Sequence, residues 1–138
     1  SDLMGFLPWR DHGINPYGNS IIANGKYLAA NGATVGKFVK ITQKAYADCV
    51  KTPGPCIDAL VKGNTGLKTG SSTKNWNLVT ELMNDATSRT VALGHFDDTR
   101  MVNDYKMVET YFNLKKPFAV KGAYTNAFLD NSVKFSAK

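Results

Sequence analysis

Four consecutive residues, Trp9-Arg10-Asp11-His12, place an aromatic face, a forked cationic donor, a carboxylate and an imidazole in one short stretch. That combination suits contact with a small ligand, by stacking and by convergent hydrogen bonds. An Asp beside a His also resembles half of a catalytic dyad, but adjacent residues of an extended segment point to opposite sides. No nucleophile stands near His12, and the chain carries no G-x-S-x-G, H-E-x-x-H, P-loop or G-x-G-x-x-G pattern. Catalysis is therefore not expected, and the protein is read as a non-enzyme. The competing reading of Trp9 to His12 is an ordered loop whose polar groups cap neighbouring backbone. Tyr17, Gly18 and Asn19 follow where the sequence leaves this loop, a position that suits either ligand contact or a tight turn. His95, between Gly94 and Phe96, reads as a surface or capping residue. Two cysteines and two widely separated histidines lack the spacing of a zinc site, so neither a metal nor a cofactor is expected.

The elements that must position these residues are mostly helical. Ser1 to Asn19 is rich in Gly, Pro, Asn and aromatics without helical period, which predicts a shaped loop. Within Tyr17 to Ala23 the run Ser20, Ile21, Ile22 predicts one short strand, closed by a turn at Asn24-Gly25. Apolar or small residues recur at helical spacing from Thr34 to Val50, with Lys37, Lys40, Lys44 and Asp48 outside, and predict a long amphipathic helix. Thr52-Pro-Gly-Pro55 ends it, and Pro55 suits the first position of a second helix, Cys56 to Lys62. Gly63 to Thr73 reads as an exposed loop. A third helix is predicted from Thr73 to Asn84, with Trp76 in its core face, and a fourth from the Asp97-Asp98 cap through Asn113, stopped by Pro117. The fold class is thus mainly α, four helices and one short strand, in a single partial domain over residues 1–138. The apolar helix faces have no sheet beneath them in this sequence. Self-association through them is one expectation.

Composition limits the partners. The 138 residues are 43% hydrophobic and 20% charged, the balance of a globular chain, and no apolar stretch reaches the roughly 20 residues that span a bilayer. Net charge is +6, but the basic residues are scattered singly apart from Lys115-Lys116, so helical solvent faces account for them and nucleic acid is not an expected partner. Cys49 and Cys56 flank the Pro-Gly-Pro turn of a predicted helix hairpin, whose short connection brings their Cα atoms within bonding range. A Cys49-Cys56 disulfide is expected, and with it an exported protein. The alternative is two buried thiols acting as small hydrophobes.

Taken in order, YGNSIIANGKYLAANGATVGKFVKITQKAYADC, CIDALVK, ALGHFDD, YFNLKKP and AYTNAFLD resemble the C-terminal portion of the periplasmic substrate-binding proteins of the NMT1/THI5-like group. The similar segments run from Ile14 to Asp130, and Asp11-His12-Gly13-Ile14 fits the approach to the hinge. At Ala29 to Thr34 the sequence departs from the group, which more often has an acidic residue and Pro before the helix. The resemblance implies a fragment of a two-lobed α/β periplasmic-binding-protein fold, here the hinge strand and the C-terminal helices of the large lobe. It further implies capture of a small molecule for the membrane permease of an ABC importer, with ligands such as thiamine-precursor pyrimidines or nitrate- and sulfonate-type compounds. Periplasmic localisation follows, with the signal peptide outside this sequence. Carried onto this chain, the resemblance makes Trp9, Asp11, His12, Tyr17 and Asn19 the expected ligand contacts and the helices their scaffold. A freestanding helical protein-interaction module is the alternative.

Overall fold

The computed structural model describes Gly5 and residues 7–137; Ser1 to Met4, Phe6 and Lys138, and the predicted opening loop as far as it involves them, lie outside the described residues. In chain order the elements are a 3-10 turn at Trp9–His12, the helices α1 (Gly25–Lys51), α2 (Pro53–Gly63), α3 (Thr69–Met83), α4 (Ala86–Thr90) and α5 (Asp98–Tyr111), and a second 3-10 turn at Val120–Gly122. The expectation of a mainly helical chain holds. The predicted strand at Ser20 to Ala23 does not form: no strand is present among the described residues, and Ile22 is 92% exposed. An extended run needs a neighbouring ladder for its N–H and C=O groups, and this one has none.

Two compact units divide the chain, Ser1–Ile22 with Phe96–Thr125, and Ala23–His95 with Asn126–Lys138. They are called here the α5 unit and the α1 unit.

In the α1 unit, α1 begins nine residues before the predicted Thr34. Asn24, expected in a turn, instead caps the helix: its side-chain oxygen accepts from the N–H groups of Lys26 at 3.0 Å and Tyr27 at 3.3 Å. At Asn31 the backbone leaves helical geometry (φ −131°, ψ 30°), which separates this first piece from the amphipathic stretch that the apolar spacing marks. The second helix starts at Pro53, not Pro55, because the first N–H groups of a helix lack intrahelical partners and two prolines there forfeit nothing. α3 starts at Thr69, inside the predicted loop. Its hydroxyls turn inward on the helix, Ser71 Oγ donating to Lys68 O at 3.0 Å and Thr73 Oγ1 to Thr69 O at 2.9 Å, so a Ser/Thr-rich stretch of loop composition is helical here. α4 is set by a capping box: Asp85 accepts from the Ser88 N–H at 2.7 Å, and the Ser88 hydroxyl accepts from the Asp85 N–H at 3.1 Å.

The core of this unit gathers Ala47, Leu93 and Phe135, with Val50, Met83 and Val133 against them. The tail reaches it through backbone bonds, Leu93 N–H to Val133 O and Phe135 N–H to Ser88 O, both 2.9 Å. Gln43 is buried at its edge and spans two segments: Nε2 donates to Leu93 O at 2.9 Å and Asp130 O at 3.0 Å, while Oε1 accepts from the Asp130 N–H at 2.9 Å. Gly36 permits close approach of the tail to α1, since a Cβ there would stand 3.2 Å from Phe128 Cδ1. Trp76, expected in the core, is half-buried with its ring 6.0 Å from that of Tyr46. The expected disulfide is present, Cys49 to Cys56 with Cα atoms 5.8 Å apart. Apolar helix faces stay open, as the sequence predicts: Phe38 and Ile41 on α1 and Leu78 and Leu82 on α3 are exposed.

In the α5 unit, Asp97 caps α5 as predicted, accepting from the Arg100 N–H at 2.9 Å. The helix ends at Tyr111 rather than Asn113, because Asn113 adopts a left-handed φ of 49° that no helix continues.

Candidate functional site

The loop before α1 is held by α5. Pro8 precedes the 3-10 turn Trp9–His12, and Gly13 ends it with a φ of 83°, a left-handed conformation that glycine adopts without steric cost. From there residues 13–17 run beside α5. Arg100 binds that segment with its guanidinium: Nε donates to Asn15 O at 2.7 Å, and Nη2 donates to Pro16 O at 2.9 Å and Asn15 Oδ1 at 3.1 Å. The same guanidinium lies over the Tyr17 ring, 3.9 Å from its centroid. Tyr17 also packs edge-on against Phe96 at 5.0 Å, accepts at its hydroxyl from the Asp97 N–H at 2.7 Å, and donates its own backbone N–H to Asp104 Oδ2 at 3.2 Å.

This clamp leaves a concavity of about 800 Å³ between the segment and the helix. Gly13, Ile14 and Asn15 form one wall; α5 supplies the other through Asp97, Thr99, Arg100, Asn103, Asp104, Met107, Tyr111 and Phe112. Positions 97, 100, 104, 107 and 111 lie on one helical ridge of about 21 Å, so the groove is polar at the amino end of α5 and apolar at the other. Asp97 and Asp104 line this end together with Arg100, so two carboxylates stand against one guanidinium, three of whose five N–H donors go to loop oxygens. The groove therefore favours hydrogen-bond donors or positive charge at its polar end and a flat apolar group near Met107, Tyr111 and Phe112. It disfavours a small anion.

The five residues expected to touch ligand are not gathered in this groove. Trp9, Asp11 and His12 share the exposed 3-10 turn that leads into Gly13, with Trp9 69% exposed and Asp11 paired to Arg10 at 3.6 Å. Asn19 is exposed beyond the clamp. Tyr17 is half-buried and acts as a positioning residue, its ring and hydroxyl engaged by α5. His95, in the α1 unit, has Nε2 at 3.3 Å from Asn126 Nδ2, a contact that ties its segment to the tail. Arg100 and Asp104 were not expected to matter, because their partners lie more than eighty positions earlier in the chain and no local pattern announces them. The repeat of polar residues at 97, 100 and 104 on one helical face was the available signal.

A second arrangement flanks the clamp. The Tyr124 ring packs against Phe96 at 5.6 Å, and its hydroxyl donates to Asp98 Oδ1 at 2.6 Å. That bond to a carboxylate pushes the Tyr124 phenol up to about 12, with nearby carboxylate charge adding to the effect. A raised value means that the folded state holds the proton more tightly. The contribution is therefore complete below the ordinary phenol value of 10.0 and is lost as pH rises through about 12. Ultraviolet titration of phenolate formation is expected to show one late tyrosine in the native protein, absent in Tyr124→Phe and moved back toward the ordinary range in Asp98→Asn. A Tyr124 that titrates with the other tyrosines in both backgrounds contradicts the bond. The Lys121 to Asp98 contact, 2.9 Å between well exposed side chains, adds little stability.

Among the described residues no group of three or more His, Cys, Asp or Glu is placed to hold a metal ion, and no helix is long and apolar enough to cross a membrane. Compared with known proteins, residues 3–55 match the family model described as NMT1/THI5 like. The matched stretch holds the Trp9–His12 turn, the segment clamped by α5, α1 and Cys49, and ends one residue before Cys56. No curated protein and no solved structure matches the chain.

Proposed function

We propose that this protein captures a small organic solute, acting by binding and not by catalysis, as part of a solute-binding component that serves the membrane permease of an ABC importer. The observation that carries the reading is the coincidence of the family match over residues 3–55 with one wall of the α5 groove, Gly13 to Asn15. An exported, periplasmic setting accords with the family match and with the Cys49 to Cys56 bond. Of the two ligand chemistries that the resemblance implies, the groove favours the heteroaromatic amine of a thiamine-precursor pyrimidine over nitrate or a sulfonate. An amino group meets Asp97 and Asp104, and a flat ring meets Tyr111 and Phe112. Trp9, Asp11 and His12, on the turn that enters the wall, supply further contacts, and Asn19 lies beyond Tyr17 on the same segment.

Isothermal titration with an aminopyrimidine, with nitrate and with an alkanesulfonate tests this. Heat of binding is expected for the pyrimidine alone. Phe112→Ala, at a side chain 72% exposed and so of little consequence for folding, is expected to weaken it about fivefold, the worth of one aromatic contact. Binding of nitrate in preference to the pyrimidine, or of neither class, overturns the ligand assignment.

A further inference from the structure

The outer face of α1 is basic and apolar at once, and the solute-binding reading makes no use of it. Lys37, Lys40, Lys44 and Lys51 fall within about 60° of one another around the helix and span about 21 Å along it. All four are exposed, and Asp48, also exposed, is the one acid of the same helix. Beside this stripe stand Ile41, 68% exposed, and Phe38, 58% exposed. Charge is divided unequally between the units. The segments of the α1 unit carry 11 Lys and Arg against 5 Asp and Glu, whereas the α5 unit balances 6 against 6, so the whole net charge of +6 belongs to the α1 unit.

We propose that this face of α1 docks on an anionic lipid bilayer, with the lysines at the headgroups and Ile41 and Phe38 entering the interface. The complementarity is of two kinds on one surface. A row of ammonium groups on flexible stems is attracted to a negatively charged membrane over about a Debye length, and apolar side chains beside it gain from burial at the acyl boundary. Lysine in place of arginine, with no tyrosine or tryptophan on the stripe, separates it from a nucleic-acid surface, where forked donors and stacking rings are the rule. The lipid reading stands apart from solute capture, since none of these residues lines the α5 groove.

The test is sedimentation of the full chain with vesicles of phosphatidylcholine alone and of phosphatidylcholine mixed with phosphatidylglycerol, at low and at high salt. Binding is expected only to the anionic vesicles and is expected to fall as salt rises. Each lysine near a charged membrane surface raises binding about fivefold, so the triple substitution Lys37→Glu, Lys40→Glu, Lys44→Glu is expected to lower it by about a hundredfold or more. Ile41→Ser is expected to lower it by about tenfold. A control reversal of Lys62 on α2, Lys68 at the cap of α3 and Lys74 on α3 changes net charge by the same amount outside α1 and is expected to have a small effect. Failure to bind anionic vesicles at low salt overturns the proposal, as does an equal loss from the control reversal. A chain whose self-association Ile41→Ser abolishes while vesicle binding is unchanged overturns it too, and identifies a second copy as the occupant. Loss of pyrimidine binding in the lysine variants is not expected, so failure here and failure of the solute-binding reading are separable.

Discussion

Gln43→Ala is expected to cost the α1 unit about 3 kcal/mol of stability. Its amide makes three bonds to backbone in two distant segments, to Leu93 O, to Asp130 O and from the Asp130 N–H, all between 2.9 and 3.0 Å. Each buried backbone group left without its partner costs about 1–3 kcal/mol, and water can reach the part-buried Asp130 side but reaches the buried Leu93 side less readily. Gln43→Glu gives the sharper test. A carboxylate can still accept from the Asp130 N–H, but its other oxygen faces two carbonyls with no proton to give. The folded state then favours the protonated acid, so its pKa is raised, and the variant is expected to be most nearly native below the ordinary carboxylate range and to lose stability as pH rises through that raised value. Urea unfolding followed by tryptophan fluorescence, in which half-buried Trp76 changes surroundings more than exposed Trp9, measures both variants. An alanine variant within about 0.5 kcal/mol of the parent, the usual range for a neutral surface change, contradicts the clamp.

What Gln43 does could not be read from the sequence, and the reason is general to this chain. The apolar spacing from Val35 to Val50 identified the helix because periodicity is a local property, repeated every turn and independent of what the face meets. The Asp97 cap, the Pro-Gly-Pro turn and the pairing of Cys49 with Cys56 were legible for the same reason, each depending on residues a few positions apart. The strand expected at Ser20 to Ala23 failed because strand formation requires a partner elsewhere, and β-branched residues specify only that a partner would be welcome. Asn24 was ambiguous for a different reason, since the side chain that favours a turn is the one that caps a helix. The candidate site divides along the same line. The loop that forms its first wall stood out by composition, while Arg100 and Asp104, which fix that loop and line the groove with it, were invisible because their contacts join the two ends of the α5 unit.

Removal of the disulfide is the second large effect expected. Replacing Cys49 and Cys56 together by serine is expected to destabilise the α1 unit by up to about 2.5 kcal/mol, the chain-entropy value for so short a loop, with cysteines seven positions apart. One feature sets the figure below that ceiling. Pro53 and Pro55 lie inside the loop and already restrict the unfolded chain, so the crosslink has less freedom to remove than it would in an ordinary sequence. The folded hairpin is also held without the sulfurs, by the Thr52 N–H to Asp48 O bond of 2.8 Å and by burial of Ile57, so no loss of native contacts adds to the figure. The expected loss is therefore about 1.5–2.5 kcal/mol, seen as a fall of roughly 1 M in the urea midpoint with the slope nearly unchanged. The prolines supply the check on mechanism. With Pro53 and Pro55 replaced by alanine the unfolded loop becomes freer, and the same cysteine replacement is expected to cost more than it does in the parent. An equal cost in both backgrounds means that the bond acts through the folded hairpin, whereas free thiols titrated in protein purified without reductant mean that it does not form.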